Sequence, residues 1–417
     1  MTTTISNALA RGPSAAQHLV RTHELYPHVK SGDLTLRKSQ VAVLHRRKTA
    51  ATYQSQTLPS TGLQNAGFVD IRLSGADVLS GITLRMTYRN DTGGQLQRWN
   101  ARWAYYIFDH IDILAENGST VLERIEPEHL SKKWLQLPPT AHERVKHGLQ
   151  GGPDDGNGNP AAMNDGTSRS LYFPLLGSVL SSQEIPAFAL SSPLIIRAYF
   201  RGASAFTGPF TATMIPNGVT GLTISAFDAL VNGYQHDASE RADLSRRYSM
   251  AGLRSPPLDI RFARPGFQRT QETFTNEGLL NIRLSSVQGL VTSMSVILQK
   301  IYSAGFGYGL YASPTKIDLL DEQGSSLYGS PLSFGDIQVT QAISDGNVSD
   351  DNLQKILPIP IGGESGEEAG QIHGYVPMAG HHQLQLTAAP GDYTVTVVYR
   401  TVAHIRVEKA HLTVHSS

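Results

Sequence analysis

Residues 111–122, IDILAENGSTVL, are followed later in the chain by a close echo, IDLLDEQGSSLY, at residues 317–328. Six of the twelve aligned positions are identical. Each copy has a short apolar run, an acidic residue, a Gly between small polar residues, and then apolar residues again. This pattern predicts a strand, a tight turn and a second strand, with Gly118 and Gly324 supplying the positive φ that the turn needs. We therefore expect the same hairpin twice.

Three further echoes accompany the hairpin. Because matches that keep the same order along a chain indicate an internal repeat, we interpret the chain as two copies of one β-rich unit. The four echoes, with separations of 211, 206, 203 and 199 residues, are IRLS at 71–74 and 282–285, the hairpin itself, YFPLLG at 172–177 with YVPMAG at 375–380, and LIIRAYFR at 194–201 with YTVTVVYR at 393–400.

The composition fits a turn-rich all-β protein. The 417 residues include 39 Gly and 22 Pro, and only 17% are charged, below the usual share of about a quarter. The formal net charge is zero, so no overall field selects nucleic acid, membrane or an acidic substrate. The absence of Cys excludes disulfides, thiolate catalysis and Cys-ligated metals. We expect neither a signal peptide nor a membrane span.

The chain divides into four segments on these criteria. We predict a basic arm at 1–44, a first β-sandwich at 45–235, a polar linker at 236–257 and a second β-sandwich at 258–417. Short helices should interrupt the first sandwich at 126–149, where Pro127 suits a first helical turn and residues 140–143, TAHE, have the spacing of a capping box. Long polar loops are expected at 151–167, 202–220 and 344–370.

The first fifty residues carry eight Lys and Arg against two acidic residues, a net charge of +6. Such a segment is either a solvated tail or an arm that contacts anionic lipid, the genome or a neighbouring subunit. The residues that we predict to make such contacts are Arg37, Lys38, Arg46, Arg47 and Lys48.

No catalytic, cofactor-binding or metal-binding motif is present, and we predict that the protein is not an enzyme. His381 and His382 are adjacent, so on a strand they would face opposite sides rather than share a metal ion. Glu116 and Glu322 repeat with the hairpin, and two separate sandwiches would hold them too far apart for a glycosidase pair. They are interpreted as turn residues.

The aromatic residues near the first hairpin form a second possible site. Trp99, Trp103 and Trp134 with Tyr105 and Tyr106 could form a sugar or base platform. In a β-rich context, however, such residues are more often part of a core or an interface, which is the interpretation that we favour. No reader motif for sequence-specific nucleic-acid binding is present.

Two segments carry a resemblance to a known family. Residues 171–200, LYFPLLGSVLSSQEIPAFALSSPLIIRAYF, combine a Tyr-x-Pro-Leu strand, a loop, an apolar Pro-containing stretch and an outgoing strand. Residues 111–130 combine a strand, a Gly turn, a second strand and a Glu-rich helix entry. With two tandem sandwiches and a basic arm, these segments resemble the double jelly-roll major capsid proteins of icosahedral DNA viruses, many of which contain a membrane.

The resemblance implies two tandem eight-stranded jelly rolls per chain and a homotrimer with a pseudo-hexagonal outline that tiles an icosahedral shell. It implies a place in the virion, assembly in the host cytoplasm, and contacts with penton and minor capsid proteins. The long loops would lie at the exposed end. The arm, through the five basic residues named above, would contact an internal membrane or a neighbouring capsomer. The shorter length suggests phage-like kin.

Two other functions stay open at this point. One is a carbohydrate-binding or hydrolytic protein, such as an amidase or copper monooxygenase, on two jelly rolls; the lack of Cys and the dispersed His residues disfavour it. The other is a trimeric phage receptor-binding protein, which would normally show a fibrous repeat or a coiled coil.

Overall fold

The computed structural model describes most of the two predicted sandwiches. The described residues are 52–59, 68–90, 93, 99, 101–115, 118–156, 160–182, 185–200, 222–239, 241–242, 258–275, 279–300, 311–312, 314–333, 335–337, 357–359, 363–365, 371–373, 376–408 and 411–416.

Nine strands are formed by the described residues of the first part of the chain. They are β1 (Thr52–Pro59), β2 (Phe68–Leu73), β3 (Val78–Asn90), β4 (Phe108–Ala115), β5 (Thr120–Ile125), β6 (Ser168–Pro174), β7 (Ile185–Pro186), β8 (Leu194–Phe200) and β9 (Leu222–Gln235).

The second part of the chain forms the remaining described strands. They are β10 (Leu258–Phe274), β11 (Leu279–Arg283), β12 (Gln288–Lys300), β13 (Tyr311–Ala312), β14 (Lys316–Leu320), β15 (Leu332–Ser333), β16 (Leu357–Ile359), β17 (Gly363–Ser365), β18 (Gln371–His373), β19 (Val376–Ala379), β20 (Gln383–Thr387), β21 (Gly391–Glu408) and β22 (His411–Ser416).

Short helices interrupt the first sandwich, as predicted. They are α1 (Ala101–Ala104), α2 (Pro127–Leu135), α3 (Pro139–Gln150) and α4 (Val179–Ser182). Pro127 opens α2, where its missing N–H costs nothing. The predicted capping box at 140–143 is wrong, because α3 begins at Pro139 and has no side-chain cap.

Each sandwich packs two antiparallel sheets. In the first, sheet 1A has the order β1-β9-β3-β6 and sheet 1B the order β2-β8-β4-β5. In the second, sheet 2A has the order β10-β21-β12, with β19, β16 and β13 also paired to β12, and sheet 2B has the order β11-β20-β14-β15. Taking β19 as the counterpart of β6, the two units contain the same eight strands in the same order. The all-β fold of two eight-stranded jelly rolls is confirmed; the exact segment boundaries stay predictions.

Burial alternates along the strands as a sandwich requires. On β3, Ile82, Leu84, Met86 and Tyr88 point into the core while the residues between them are only partly buried. The first core also contains Trp99 and the helices, and a second core fills the space between sheets 2A and 2B.

Strand register gives an independent test of the repeat. In sheet 1B, Ile196 of β8 lies opposite Ile71 of β2 and Ile113 of β4. In sheet 2B, Leu384 of β20 lies opposite Ile282 and Leu319. The separations of 211 and 206 residues, read from the sequence, therefore bring equivalent residues to equivalent positions.

The fourth echo is wrong. Residues 194–201 include β8 of sheet 1B, whose counterpart is β20, whereas residues 393–400 lie in β21 of sheet 2A, whose counterpart is β9. Both segments are central strands, so both are rich in apolar and β-branched residues. Their similarity reflects burial and not a common position.

The repeated hairpin turns are confirmed. Gly118 and Gly324 have φ values of 93° and 82°, in the left-handed region that only Gly adopts without strain. Gly118 lies between β4 and β5, and Gly324 lies between β14 and the bridge that pairs Leu320 with Ser326.

Candidate interaction surfaces

The outward face of sheet 1B carries a row of four alternating charges, one from each strand. Asp70 lies opposite Arg197, Arg197 opposite Asp112, and Asp112 opposite Arg124. Arg197 donates two hydrogen bonds to Asp70, at 2.7 and 2.8 Å, and Arg124 donates two to Asp112, both at 2.8 Å. Bidentate arginine–carboxylate pairs of this kind fix the relative orientation of the two side chains as well as pairing their charges. These two ion pairs therefore tie β2 to β8 and β4 to β5, and Arg197 and Asp112 lie opposite each other between them.

Rings border the charged row on one side. Phe68 lies beneath the guanidinium carbon of Arg197, which is 4.4 Å from the ring centroid. Tyr199 stacks on His110 with ring centroids 4.1 Å apart. The hydrogen bonds to Asp70 raise the pKa of Arg197 above its ordinary value, so the cation above the Phe68 ring is permanent.

Sheet 2B has a row of two amides and one carboxylate at the equivalent place. Asn281 lies opposite Gln385, and Gln385 lies opposite Asp318. Asp318 is buried, like its counterpart Asp112, but its carboxylate accepts a 2.7 Å hydrogen bond from the Ser326 hydroxyl instead of pairing with an arginine. The two outward faces have the same layout with different chemistry.

The two jelly rolls meet where α2, α4 and β5 of the first lie against sheet 2A of the second. Leu135 at the end of α2 packs on Ile297 and Val398. Phe262 and Ile405 of the second roll belong to the same buried cluster as the core of the first. We call this contact the join.

Glu123 of β5 is a fully buried carboxyl at the join. Its Oε2 accepts a 2.8 Å hydrogen bond from the Val179 backbone N–H, and its Oε1 has no hydrogen-bond partner among the described residues. Burial raises its pKa to about 7, against the opposing effects of the Val179 bond and of the charges of Arg400 and Arg264. This carboxyl is therefore poised to titrate near neutral pH.

Arginines of sheet 2A face the first roll across the join. Arg269 donates to the buried Glu128 of α2, with Nη2 and Oε1 2.9 Å apart, and Arg400 donates to the carbonyl oxygen of Gly177. Because Glu123 and Glu128 come from the first roll and the arginines from the second, the join is electrostatically matched. Sequence patterns gave no sign of it, since the partners lie more than a hundred residues apart.

The five basic residues predicted to make contacts lie outside the described residues, and their role stays a prediction. Glu116 also lies outside them. Glu322 is exposed in a turn, as predicted.

Four of the five aromatic residues are confirmed as core residues. Trp99, Tyr105 and Tyr106 are buried, and Trp134 stacks on His142 with centroids 4.7 Å apart. The side chain of Trp103 is not among those described.

The remaining predicted positions show no clustering. His381 is exposed, with its Nδ1 2.9 Å from an Arg283 nitrogen, and its neighbour His382 is buried. Within the described residues, no group of three or more His, Asp or Glu side chains is placed to hold a metal ion. No helix in this part of the chain is long and apolar enough to cross a membrane.

Comparison with known proteins finds similar solved structures but no matching sequence family. No protein-family model matches the chain, and no curated protein sequence matches it. VP54 of PBCV-1, fitted into a reconstruction of the virophage Sputnik, superposes with a TM-score of 0.64 at 11% identity, over 89% of this chain and 98% of VP54. The Faustovirus major capsid protein superposes with a TM-score of 0.61 at 10% identity, over 86% of this chain and 91% of that protein. This chain has the double jelly-roll fold.

The double jelly roll explains the first three of the four collinear echoes, since each roll repeats the same eight strands. A chain of the Sputnik virophage shares the fold, with a TM-score of 0.52 at 9% identity over 88% of this chain and 89% of that chain. At such identities the likeness is one of fold. The expected kinship with phages stays a prediction.

Proposed function

We propose that this chain is a major capsid protein, structural and without catalytic activity, that forms pseudo-hexagonal homotrimers tiling an icosahedral virion shell. The observation that carries the proposal is the duplicated jelly roll, which superposes on nearly the whole of a PBCV-1 capsid chain and on the Faustovirus major capsid protein.

The duplication gives the proposal its geometry. Two similar rolls per chain make six similar rolls in a ring of three chains. The outline of such a ring has nearly sixfold symmetry, so the ring can make the same kinds of contact with its neighbours on every side. The buried contacts and ion pair of the join support this role, because the two rolls must hold a fixed angle for the ring to close.

The partners follow from a place in the shell. They are other copies of this chain, penton and minor capsid proteins, and an internal membrane contacted by the arm through Arg37, Lys38, Arg46, Arg47 and Lys48. Assembly takes place in the host cytoplasm, for which the chain without Cys is suited. Sequence-specific nucleic-acid binding is not part of the proposal.

Native mass spectrometry and electron microscopy of the purified chain test the proposal. We expect a stable species at three times 45.3 kDa and, under assembly conditions, shells with hexagonal capsomers. A monomer that binds glycans would instead support a carbohydrate-binding protein, and an isolated trimer that binds host cells without forming shells would support a receptor-binding protein.

A further inference from the structure

Four large apolar side chains are exposed among the described residues, and they form two equivalent pairs. Phe68 is 38% exposed and Leu279 58%; they are related by the separation of 211 residues that also relates β2 to β11. Val121 is 37% exposed and Leu327 42%; they are related by the separation of 206 residues that relates the two hairpins. The exposure of apolar surface therefore repeats with the fold.

Three of the four residues lie on strands of the B sheets, and Leu327 lies in the hairpin that follows β14. Phe68 and Leu279 are the first residues of β2 and β11, on the same outward face as Asp70 and Asn281. Val121 lies opposite Leu114 on that face of sheet 1B. Leu327 follows the bridge to Leu320, and its N–H donates to the Leu319 carbonyl at 2.8 Å. Each B sheet thus shows one apolar residue at its outer strand and one at its hairpin.

The join leaves both pairs uncovered. It buries the outward face of sheet 2A, yet Val121 stays exposed although its strand contacts the second roll. An exposed Leu or Phe contributes little to the stability of a roll, so folding alone does not require apolar residues at matched places. A partner that meets both rolls in the same way does require them.

The charges on these faces suit contact with a second copy of the chain. The row on sheet 1B contains two Asp and two Arg that compensate one another, and the row on sheet 2B contains two amides and the buried Asp318. Neither row therefore presents a large net charge to an approaching copy of the same face. Two apolar residues per face are too few for a stable dimer, which needs roughly 800 Å² per partner. A weak contact made many times in a shell needs far less.

We propose that the outward faces of sheets 1B and 2B, at Phe68, Val121, Leu279 and Leu327, are the contacts between neighbouring capsomers, each occupied by a second copy of this chain. This inference rests on the proposed capsid function. It deepens that function by separating sheet 2A, which faces the join, from the outward faces of sheets 1B and 2B, which face the lattice.

Single cysteines test the proposal, because the chain has none of its own. Leu279→Cys and Leu327→Cys should react fully with a soluble maleimide in isolated capsomers and at least about tenfold more slowly in assembled shells, since a closed contact excludes solvent. Thr140→Cys, on the exposed first turn of α3, is the matched control for access of the reagent. Equal reactivity of the two cysteines in shells and in isolated capsomers would overturn the proposal. Slow reaction of these cysteines in isolated capsomers would also overturn it, because the side chains would then be covered by the same chain or the same capsomer.

A charge substitution gives a second readout. Leu279→Asp should keep the wild-type capsomer mass and melting temperature but lose shell formation, whereas Thr140→Asp, which adds the same charge, should assemble. Normal shells from Leu279→Asp would contradict the inference. A wild-type chain that stays monomeric would overturn the capsid function and this inference together, whereas wild-type shells in which Leu279→Cys stays reactive would overturn the inference alone.

Discussion

Asp112 and Asp318 occupy equivalent positions in the two jelly rolls, and both are buried, but different partners hold them. Arg124 donates two hydrogen bonds to the Asp112 carboxylate, whereas the Asp318 carboxylate accepts one from the Ser326 hydroxyl. The Asp was already part of the repeat in the sequence. Its partner depends on which residue the neighbouring strand or turn places across from it.

Asparagine substitutions should distinguish the two sites. Asp112→Asn removes the charge that Arg124 binds, and we expect a loss of about 2 kcal/mol in the free energy of unfolding, typical of a hydrogen-bonded charged group. Asp318→Asn keeps an amide oxygen for the Ser326 hydroxyl and should cost less than about 1 kcal/mol. Urea unfolding of both variants measures the difference; equal losses would mean that the charged row contributes nothing beyond its hydrogen bonds.

Glu123 should make stability depend on pH. Its pKa rises from 4.5 to about 7 on folding, so the folded chain binds the proton more tightly than the unfolded chain. The stabilisation is therefore fully present below pH 4.5 and is lost as the pH rises through 7, by at most about 3 kcal/mol.

Glu123→Gln isolates this effect. The difference in free energy of unfolding between wild type and Glu123→Gln should fall as the pH is raised from about 5 to about 8. Glu322→Gln, at an exposed turn, is the control and should follow the wild-type pH profile. Parallel profiles for wild type and Glu123→Gln would show that this carboxyl does not titrate in that range.

Position 233 has room for glycine but not for a larger residue. A Cβ added there would lie 2.4 Å from the Val78 carbonyl oxygen and 2.7 Å from the Ala76 Cβ. Gly233→Ala should therefore destabilise the first roll by about 1–3 kcal/mol, as overpacking does. Gly335→Ala, whose nearest neighbour would be 3.8 Å away, should be close to neutral. Thermal unfolding of the pair checks this; a neutral Gly233→Ala would mean that β3 and β9 can separate at no cost.

Removal of residues 1–40 should leave trimers intact and impair assembly of particles. The described core residues begin at Val69, and we therefore expect both rolls to fold without the truncated segment. Arg37 and Lys38 are lost in this truncation, and substituting Arg46, Arg47 and Lys48 by Gln separates the remaining charges. Size-exclusion chromatography and electron microscopy measure the two steps. If these variants give particle yields equal to those of the wild type, the proposed role of the arm is wrong.

Sequence reasoning succeeded where the information is local. Gly118 and Gly324 could be assigned to turns because positive φ is strongly selective for Gly. Pro127 marked a helix start because its ring fits only the first turn. The capping box at Thr140 failed for a related reason: Pro139 fits a first helical turn equally well, and the helix begins there.

Sequence reasoning failed where two segments share a composition. Residues 194–201 and 393–400 look alike because both lie in central strands, where apolar and β-branched residues predominate. Only the pairing of Ile196 with Ile71 and Ile113, and of Leu384 with Ile282 and Leu319, identified β8 with β20.

The sequence by itself determined that the chain is all-β, that it contains one unit twice, and where the repeated hairpins turn. These properties depend on periodicity and on single residues with restricted backbone conformations. Only the tertiary structure decided that Asp70 meets Arg197 and that Glu123 is sealed at the join near Arg400. The alternation of apolar and polar residues along a strand predicts which side chains face outward. Which residue each side chain contacts depends on strand register and on packing between distant segments.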